Sequence, residues 1–492
     1  MSQFFTLLHE QARSHGERIA FHGFRHGKDQ LCDVSYQALL AEVEQTAAVL
    51  NGFEPRCIAL KAANSIDWAI VDLAALILGI PIVPVPSFFT PSQVQHTLTS
   101  CGADLLIGDW QESDGKDCSM VAGLSVFRPY DAALIPLLPG SRKVTFTSGS
   151  TGQPKGVCLS EGNLFQVSNM LAQQVSSSVL GGRHLALLPL ATLLENITAI
   201  YVPLILGQTS VLLNGEQTGL SGSSQFNPQH FLAALIHHRP SSLVLTPALL
   251  MALIQLVQIQ PDIAKSFRFI AVGGARVSAA LIARAHELGL PVYEGYGLSE
   301  CGSVVALNLP DANQLGSAGK VLGHNELKID EQGQVWIKGN TALGYIDEPF
   351  TTPWLATGDI GELDEKGYLT ITGRVKNQII TAFGRNVSPE WVETEAQRYM
   401  SLQRMVVIGD GELNLTAVVC ANDDEMVVDD VRGLNSQLPD YARIGRVLCV
   451  ANSTKLREFY TSNGKPIRSS FEAWAANLTE HEQVHSYHLT QA

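Results

Sequence analysis

Between residues 147 and 156 the chain reads Thr-Ser-Gly-Ser-Thr-Gly-Gln-Pro-Lys-Gly: three glycines, four hydroxyl side chains and one lysine in ten residues. Glycine lets the backbone bend into positive φ and approach a ligand closely. A loop of this kind aims several N–H groups at one anion, and the hydroxyls add donors. Lys155 adds a mobile point charge. The chemistry that suits this set is phosphate binding, of a nucleotide. Ser-Gly-Ser-Thr-Gly alone fits an ordinary surface turn equally well, because short motifs recur by chance. The Walker pattern G-x-x-x-x-G-K-[ST] is absent. So is G-x-G-x-x-G followed by an acidic residue, which disfavours a Rossmann dinucleotide site.

Three other stretches carry chemistry. Tyr293-Glu294-Gly295-Tyr296-Gly297-Leu298-Ser299-Glu300 offers a flat face for a purine at Tyr296, close approach at Gly297 and a hard oxygen ligand for Mg²⁺ at Glu300. A core tyrosine is the plain alternative. Thr357-Gly358-Asp359 places an aspartate where it can capture two ribose hydroxyls, or form a simple Asx-turn. Arg374, fifteen residues on, can bridge ribose and phosphate oxygens. Asn463-Gly464-Lys465 puts a lysine on a glycine-bearing loop, by default a solvated one.

These residues need elements to hold them. The β-branched run Val144 to Phe146 predicts a strand leading into the phosphate loop. Phe269 to Val272 predicts a strand ending in Gly273 and Gly274, the kind of place where open α/β sheets bind ligands. Leu243 to Leu245 predicts a strand running into a helix at Pro247. Earlier, Phe4 and Phe5 open an amphipathic helix, and Ile19 to Phe24, Cys57 to Leu60 and Pro81 to Val85 read as strands. Ser35 and Ser65 are N-caps for the helices that follow them, and Ser160 to Asn163 starts another. Alternating β and α predicts an α/β fold with mainly parallel sheets. Gly219 to Ser224 reads as a surface loop, and His237 and His238 as the end of a surface helix.

Composition narrows the class. Of 492 residues 46% are hydrophobic and 16% charged, which permits a large core. The formal charge of −14 and the lack of a Lys/Arg run argue against a nucleic-acid partner. Eight dispersed cysteines with no C-x-x-C pair predict reduced, mostly buried thiols of a cytoplasmic protein. The first residues carry early acidic side chains and no apolar core of a signal peptide. Trp68 to Val85 is the most apolar stretch, but Asp72, Gly79, Pro81 and Pro84 interrupt it, so a buried helix and strand are expected rather than a membrane span.

The run Thr147 to Gly156 resembles the phosphate loop of the adenylate-forming superfamily, which includes acyl-CoA synthetases, peptide-synthetase adenylation domains and beetle luciferases. It matches T-S-G-[ST]-T-G-x-P-K-G at every position. The Tyr296 to Glu300 stretch resembles the family's Y-G-x-[ST]-E, about 145 residues downstream, and Thr357 to Asp359 its T-G-D. The likeness is greatest to fatty acyl-CoA synthetases. It implies an α/β fold: a large N-terminal domain of stacked mixed sheets and helices over 1–375, and a small mobile α+β C-terminal domain over 376–492. It also implies that Thr147, Ser148, Gly149, Ser150, Thr151, Gly152 and Lys155 bind ATP phosphates. Gly274 and Ala275 would lie between adenine and the acyl group, with Glu294, Gly295, Tyr296 and Gly297 around adenine. Ser299 would meet the α-phosphate or the acid's carboxylate, Glu300 would hold Mg²⁺, and Asp359 and Arg374 the ribose. Lys465, Glu300 and Thr147 form the implied catalytic set, and Lys376 the implied hinge.

Leu185 to Asn196 resembles the family's L-P-L-x-H segment and implies an acyl pocket at Thr192, Leu193 and Gly273. Thr192 departs from the usual His or aromatic residue. No aspartate is present to hold an α-ammonium, and a lone buried ammonium is costly, so an apolar acid is expected. Glu195 is either a polar pocket contact or a solvated helix end. Phe383 to Glu390 resembles the loop lining the thiol tunnel, at Gly384 and Arg385; Arg385 either binds the phosphate end of coenzyme A or faces solvent. Near the C-terminus Phe459 and Tyr460 replace the Pro and Lys of P-K-T-x-x-G-K, while Thr461, Gly464 and Lys465 match.

The function expected is ATP-dependent ligation of a medium- or long-chain fatty acid to coenzyme A through acyl-AMP. An alternative is acyl-AMP formation followed by loading of the phosphopantetheine of an acyl carrier protein. An alternative of another class is a non-catalytic acyl- or nucleotide-binding protein.

Overall fold

The computed structural model describes every residue except 1, 29, 149–153, 223–224, 382–385, 422, 452, 462–463, 479–483 and 490–492. Two nine-stranded mixed sheets dominate it. In the first, the neighbouring strands Ile19–Gly23, Thr209–Leu212, Arg183–Ala186, Ser242–Leu245, Phe269–Val272 and Val292–Tyr296 run parallel. In the second, Leu105–Gly108, Ile58–Lys61, Ile82–Pro84 and Ser141–Ser148 are parallel, and antiparallel strands flank them. The α/β expectation holds, with parallel centres and antiparallel margins. The margins arise because short turns can close only antiparallel pairs.

One core fills the space between the sheets. It takes Phe21, Ala186, Leu212 and Phe269 from the first and Ile58, Leu60, Ile82 and Leu159 from the second. The helix Ile66–Leu78 lies within it. Ser65 Oγ accepts from Trp68 N at 3.1 Å, and Gly79 closes the C-terminus at φ +73°. Every residue from Ile66 to Leu76 is buried. That explains why the stretch is apolar all round, since a helix enclosed on every side needs no polar face. Other clusters back the outer face of each sheet, so both sheets are covered on both sides.

Asp72, on that helix, is buried with a cation. Lys143 Nζ donates to Asp72 Oδ1 at 2.6 Å and to Tyr201 Oη at 2.7 Å, and also to Asn196 Oδ1. Tyr201 Oη donates to Asp72 Oδ2 at 2.6 Å. Such a pair survives burial only because further hydrogen bonds saturate it; removing one partner alone typically costs about 3–5 kcal/mol. The network ties the strand that leads to the phosphate loop to the segment Leu193–Asn196 and the π-helical turn Ile197–Tyr201. Proline at 203 has no N–H to offer the preceding turns, and the helix widens just before it.

Smaller expectations are corrected by packing. His238 does end the helix Pro228–His238, but it is buried, its ring 5.2 Å from that of His22. Gly219 to Ser224 is not plain loop: Leu220–Ser221 pairs antiparallel with Gln225–Phe226. All eight cysteines are free thiols, five of them buried and Cys118 exposed.

A four-stranded sheet of Asn325–Ile329, Gln334–Gly339, Leu355–Leu363 and Leu369–Arg374 follows the second half of the first large sheet. Beyond it, Val406–Ile408, Leu415–Cys420, Ile444–Val450 and Val484–His488 form another four-stranded sheet. Its two faces are covered by Pro389–Ala396 and Asp424–Asn435 on one side and Arg468–Ala476 on the other. Among the described residues, the clusters on these faces contain nothing from before Ile379. No described helix is long and apolar enough to cross a membrane.

Candidate active site

The strand Ser141–Ser148 delivers Thr147 to the mouth of a cleft of about 380 Å³. Its antiparallel partner Pro154–Ser160 places Lys155 opposite Thr147. Lys155 Nζ sits 4.6 Å from the centre of the Tyr345 ring, and Tyr345 Oη donates to Glu300 Oε1 at 3.0 Å. Tyr345 thus braces two groups that the sequence marked, yet no motif drew attention to it.

The strand Val292–Tyr296 carries Gly295 and Tyr296 into the cleft and ends at Gly297. A Cβ on Gly297 would lie 1.6 Å from the Ser303 carbonyl oxygen, so only glycine permits the tight turn that follows. That turn presents Ser299 and Glu300 to the same cleft. Gly274, at φ +80°, lines it as well, and Ala275 follows at an exposed rim. The expected acyl residues Thr192, Leu193 and Gly273 share the cleft.

Asp359 is buried and engaged twice. Tyr296 Oη donates to its Oδ2 at 2.6 Å and Arg374 Nε to its Oδ1 at 2.8 Å. Gly358, at φ +73°, sits in a bulge of the strand Leu355–Leu363 just before the carboxylate, and Thr357 Oγ1 accepts from Asp359 N at 3.1 Å. Burial, and the carboxylate beside it, hold the Tyr296 phenol well above its ordinary pKa, so it stays a donor.

Lys465 lines this cleft too, with Arg374. Its loop is closed locally: Lys465 N donates to Thr461 Oγ1 at 3.1 Å, Thr461 N to Lys465 O at 2.8 Å, and Gly464 adopts φ +74°. The departures at Phe459 and Tyr460 have a structural use. Both rings pack 5.3 Å from Phe471, anchoring the loop to Arg468–Ala476. Arg468, at that helix's first turn, grips Glu393 through two bonds of 2.6 and 2.9 Å. The Lys465 side chain keeps exposed surface, yet the crowding of the cleft lowers its pKa, with Arg374 adding to the effect; Asp359, Glu300 and Glu390 pull it back up.

Other marked residues fall elsewhere. Glu294 is not among the residues that line the cleft; it lies buried beside Arg276 and Val277. Burial pushes its carboxyl up to about 8, although the Arg276 guanidinium opposes the shift. A raised pKa means the folded state binds this proton more tightly than the unfolded one. The resulting stability is present in full below the ordinary Glu value and drains away as pH climbs toward 8. Glu294→Gln is neutral at every pH. Its melting temperature relative to wild type should rise steadily from pH 5 to 8, by the equivalent of at most about 1.4 kcal/mol per pH unit. A difference that stays flat across that range would refute the buried neutral acid.

Glu195 is neither in the cleft nor solvated. It is fully buried, and its Oε1 accepts from Leu187 N at 2.8 Å. Burial drives its pKa far above the carboxylate range. Lys376 lies in the short turn Val375–Asn377. Gly149, Ser150, Thr151, Gly152, Gly384 and Arg385 lie outside the described residues, as does the side chain of Ser148.

The sequence left Lys143, Arg468 and Tyr345 unmarked. Lys143 had one available signal, a charge opening an apolar β-branched strand. The other two are recognisable only from what they touch.

A protein-family model described as AMP-binding enzyme matches residues 8–135 and 142–346. A long-chain-fatty-acid–CoA ligase of Mycobacterium bovis is 27% identical over 429 residues, 73% of this chain and 72% of that one. The anthranilate CoA ligase AuaEII, solved with anthranoyl-AMP, superposes with a TM-score of 0.79 at 19% identity, covering 96% of this chain and 98% of the other. The O-succinylbenzoate coenzyme A synthetase of Bacillus subtilis, solved with ATP and magnesium ion, gives 0.75 at 22%, covering 95% and 99%.

Proposed function

The chain belongs to the AMP-binding enzyme family, and from that premise we propose that it is an AMP-forming carboxylic acid:CoA ligase acting on an apolar acid of the medium- or long-chain fatty type. One observation carries this reading: Thr147, Glu300, Arg374 and Lys465, from four distant parts of the sequence, line one cleft. The fatty-acid–CoA ligase relative supports the substrate class.

A carboxylate is a poor acyl donor because oxide would have to leave. Attack of its oxygen on the α-phosphorus of ATP forms a mixed anhydride, acyl-AMP, and expels pyrophosphate. Carboxylate and triphosphate repel, so positioned cations and donors must offset charge on the phosphoryl oxygens. In this reading Lys465 bridges carboxylate and α-phosphate, and Thr147 and Lys155 hold the β,γ-phosphates. Asp359 accepts from the ribose hydroxyls while Arg374 steadies it. Among the described residues no cluster of three or more His, Cys, Asp or Glu could cage a metal by itself. Mg²⁺ needs no such cage, because one or two carboxylates plus nucleotide phosphates suffice. Glu300 keeps an oxygen for it beside the bond from Tyr345 and would supply that single carboxylate. When bound, the ion neutralises phosphate charge.

A thiol then attacks the acyl carbon and AMP leaves. Lys465 and the thiol compete for one space, so the two steps call for two placements of the C-terminal part. The chain would then divide into 1–375 and 376–492, with Lys376 as hinge and with Gly384 and Arg385 lining the thiol's path. Lys376→Pro should keep acid-dependent pyrophosphate exchange within about threefold and lower thioester formation at least about tenfold. Equal loss of both would remove the hinge from the account.

The reading itself is tested by incubating the protein with ATP, Mg²⁺ and a panel of acids, and measuring AMP with and without coenzyme A. Acid-dependent AMP that rises with coenzyme A is expected. ATP turnover indifferent to every acid would overturn it.

A further inference from the structure

Behind the cleft lies a smaller cavity of about 70 Å³. Leu194, Val244, Ala271, Val304 and Leu307 line both, so the two spaces adjoin across these side chains. The inner walls are apolar, with Leu171, Val175 and Val179 of the helix Glu161–Val179 facing the sheet strands that carry Val244 and Ala271. Four polar side chains, His184, Thr198, Gln208 and Ser242, line the inner cavity and not the cleft.

His184 is 6% exposed. Its Nδ1 lies 3.0 Å from Ser242 Oγ, and the two residues are register partners on adjacent parallel strands, so the sheet itself fixes this bond. Its Nε2 is buried with no partner among the described residues. Burial lowers the imidazole's pKa to about 4, so the ring is neutral and offers one donor and one acceptor. Nearby polar groups are already engaged: Thr198 Oγ1 donates to Leu194 O at 2.9 Å, and the Gln208 amide donates to Val179 O. A lone unpaired ring nitrogen in an apolar channel is costly unless something entering the channel satisfies it.

We infer that His184, fixed by Ser242, is a specificity determinant that reads the far end of the acid's tail and selects a neutral hydrogen-bonding group there, a hydroxyl or a carbonyl. The inference rests on the ligase reading for the direction in which the tail enters. A methyl terminus would leave Nε2 unpaired. A second carboxylate would be buried with no counter-charge and is rejected for the reason that disfavours any lone buried ion. Sites built to hydrogen-bond one group discriminate strongly against the analogue lacking it, whereas apolar walls alone discriminate weakly.

The test compares the n-alkanoic acids from hexanoic to dodecanoic with their ω-hydroxy and ω-oxo counterparts. AMP release gives kcat/KM for each, and calorimetric binding of the same acids to the enzyme gives affinity without relying on turnover. At the chain length that reaches the inner cavity, wild type should favour the polar-ended acid about tenfold or more in both measurements. His184→Leu should reverse that preference toward the methyl-ended acid, and His184→Gln, which keeps a donor and an acceptor, should retain part of it. Ser242→Ala, which frees the ring, should weaken it. Wild-type preference for the methyl-ended acid at every length, or a ratio that His184→Leu leaves untouched, overturns the inference. Binding with the predicted preference but no acid-dependent AMP would instead count against the ligase reading and leave the polar stop supported.

Discussion

Lys465→Ala should slow acid-dependent AMP formation by about 10²–10³-fold, the usual cost of losing one positioned donor to a transition-state oxyanion. The loop should survive the change. Its closing bonds run through the backbone of residue 465 and Thr461, and its anchors are Phe459 and Tyr460 on Phe471, none of which needs the lysine side chain. The KM for ATP should therefore move only a few-fold, since Asp359, Arg374 and the loop beginning at Thr147 still hold the nucleotide. Thioester formation from supplied acyl-AMP should persist, because no phosphoryl transfer remains to be done. The split between the half-reactions is the decisive readout. A comparable loss with supplied acyl-AMP, or less than a tenfold loss in AMP formation, would show that Lys465 does not serve the adenylation step.

Asp359→Ala should weaken ATP binding by about 10²-fold, with a smaller fall in kcat at saturating ATP. Two charge-assisted hydrogen bonds to ribose account for that size. The same change strips Tyr296 Oη and Arg374 Nε of their acceptor. Arg374 keeps half its surface in solvent, so its share of the damage is modest; the tyrosine is the more costly orphan. A stability loss of about 1–3 kcal/mol should accompany the affinity loss. Asp359→Asn retains an acceptor for Tyr296 and should recover most of the stability while recovering little of the ATP affinity. Titration of ATP binding and chemical denaturation of both variants measure the two effects separately. Unchanged ATP affinity in Asp359→Ala would remove the ribose role.

The motif residues that line the cleft were legible because their geometry is local. Gly297 must be glycine to clear the Ser303 carbonyl, Gly358 takes a positive φ just before Asp359, and Thr147 sits at the end of a strand. Each requirement lies within a few residues of the group it serves and so leaves a mark in a short stretch of sequence. The helix Ile66–Leu78 was legible for the same reason, with its serine cap, its continuous apolar run and its closing glycine all adjacent.

What failed to show was everything settled by a distant partner. Glu294 belonged to a marked motif, yet the neighbouring segment supplies Arg276 and Val277 around its carboxyl, outside the cleft. Glu195 read as a pocket contact or a solvated residue, and the fold enclosed it completely. Lys143 finds Asp72, Asn196 and Tyr201 across separations of more than fifty residues. His184 is an unremarkable histidine until the neighbouring strand supplies Ser242 and the helix Glu161–Val179 walls off the channel in front of it.

The sequence by itself determined the family, the α/β alternation and the motifs whose residues come to line the cleft, because backbone sterics and short-range hydrogen bonding act over a few residues. The tertiary structure alone decided which side chains share a cleft, which ionisable groups lose water and which side chains line the cavity beside the cleft. Those outcomes depend on burial and on contacts between segments hundreds of residues apart, and neither is written in any local pattern.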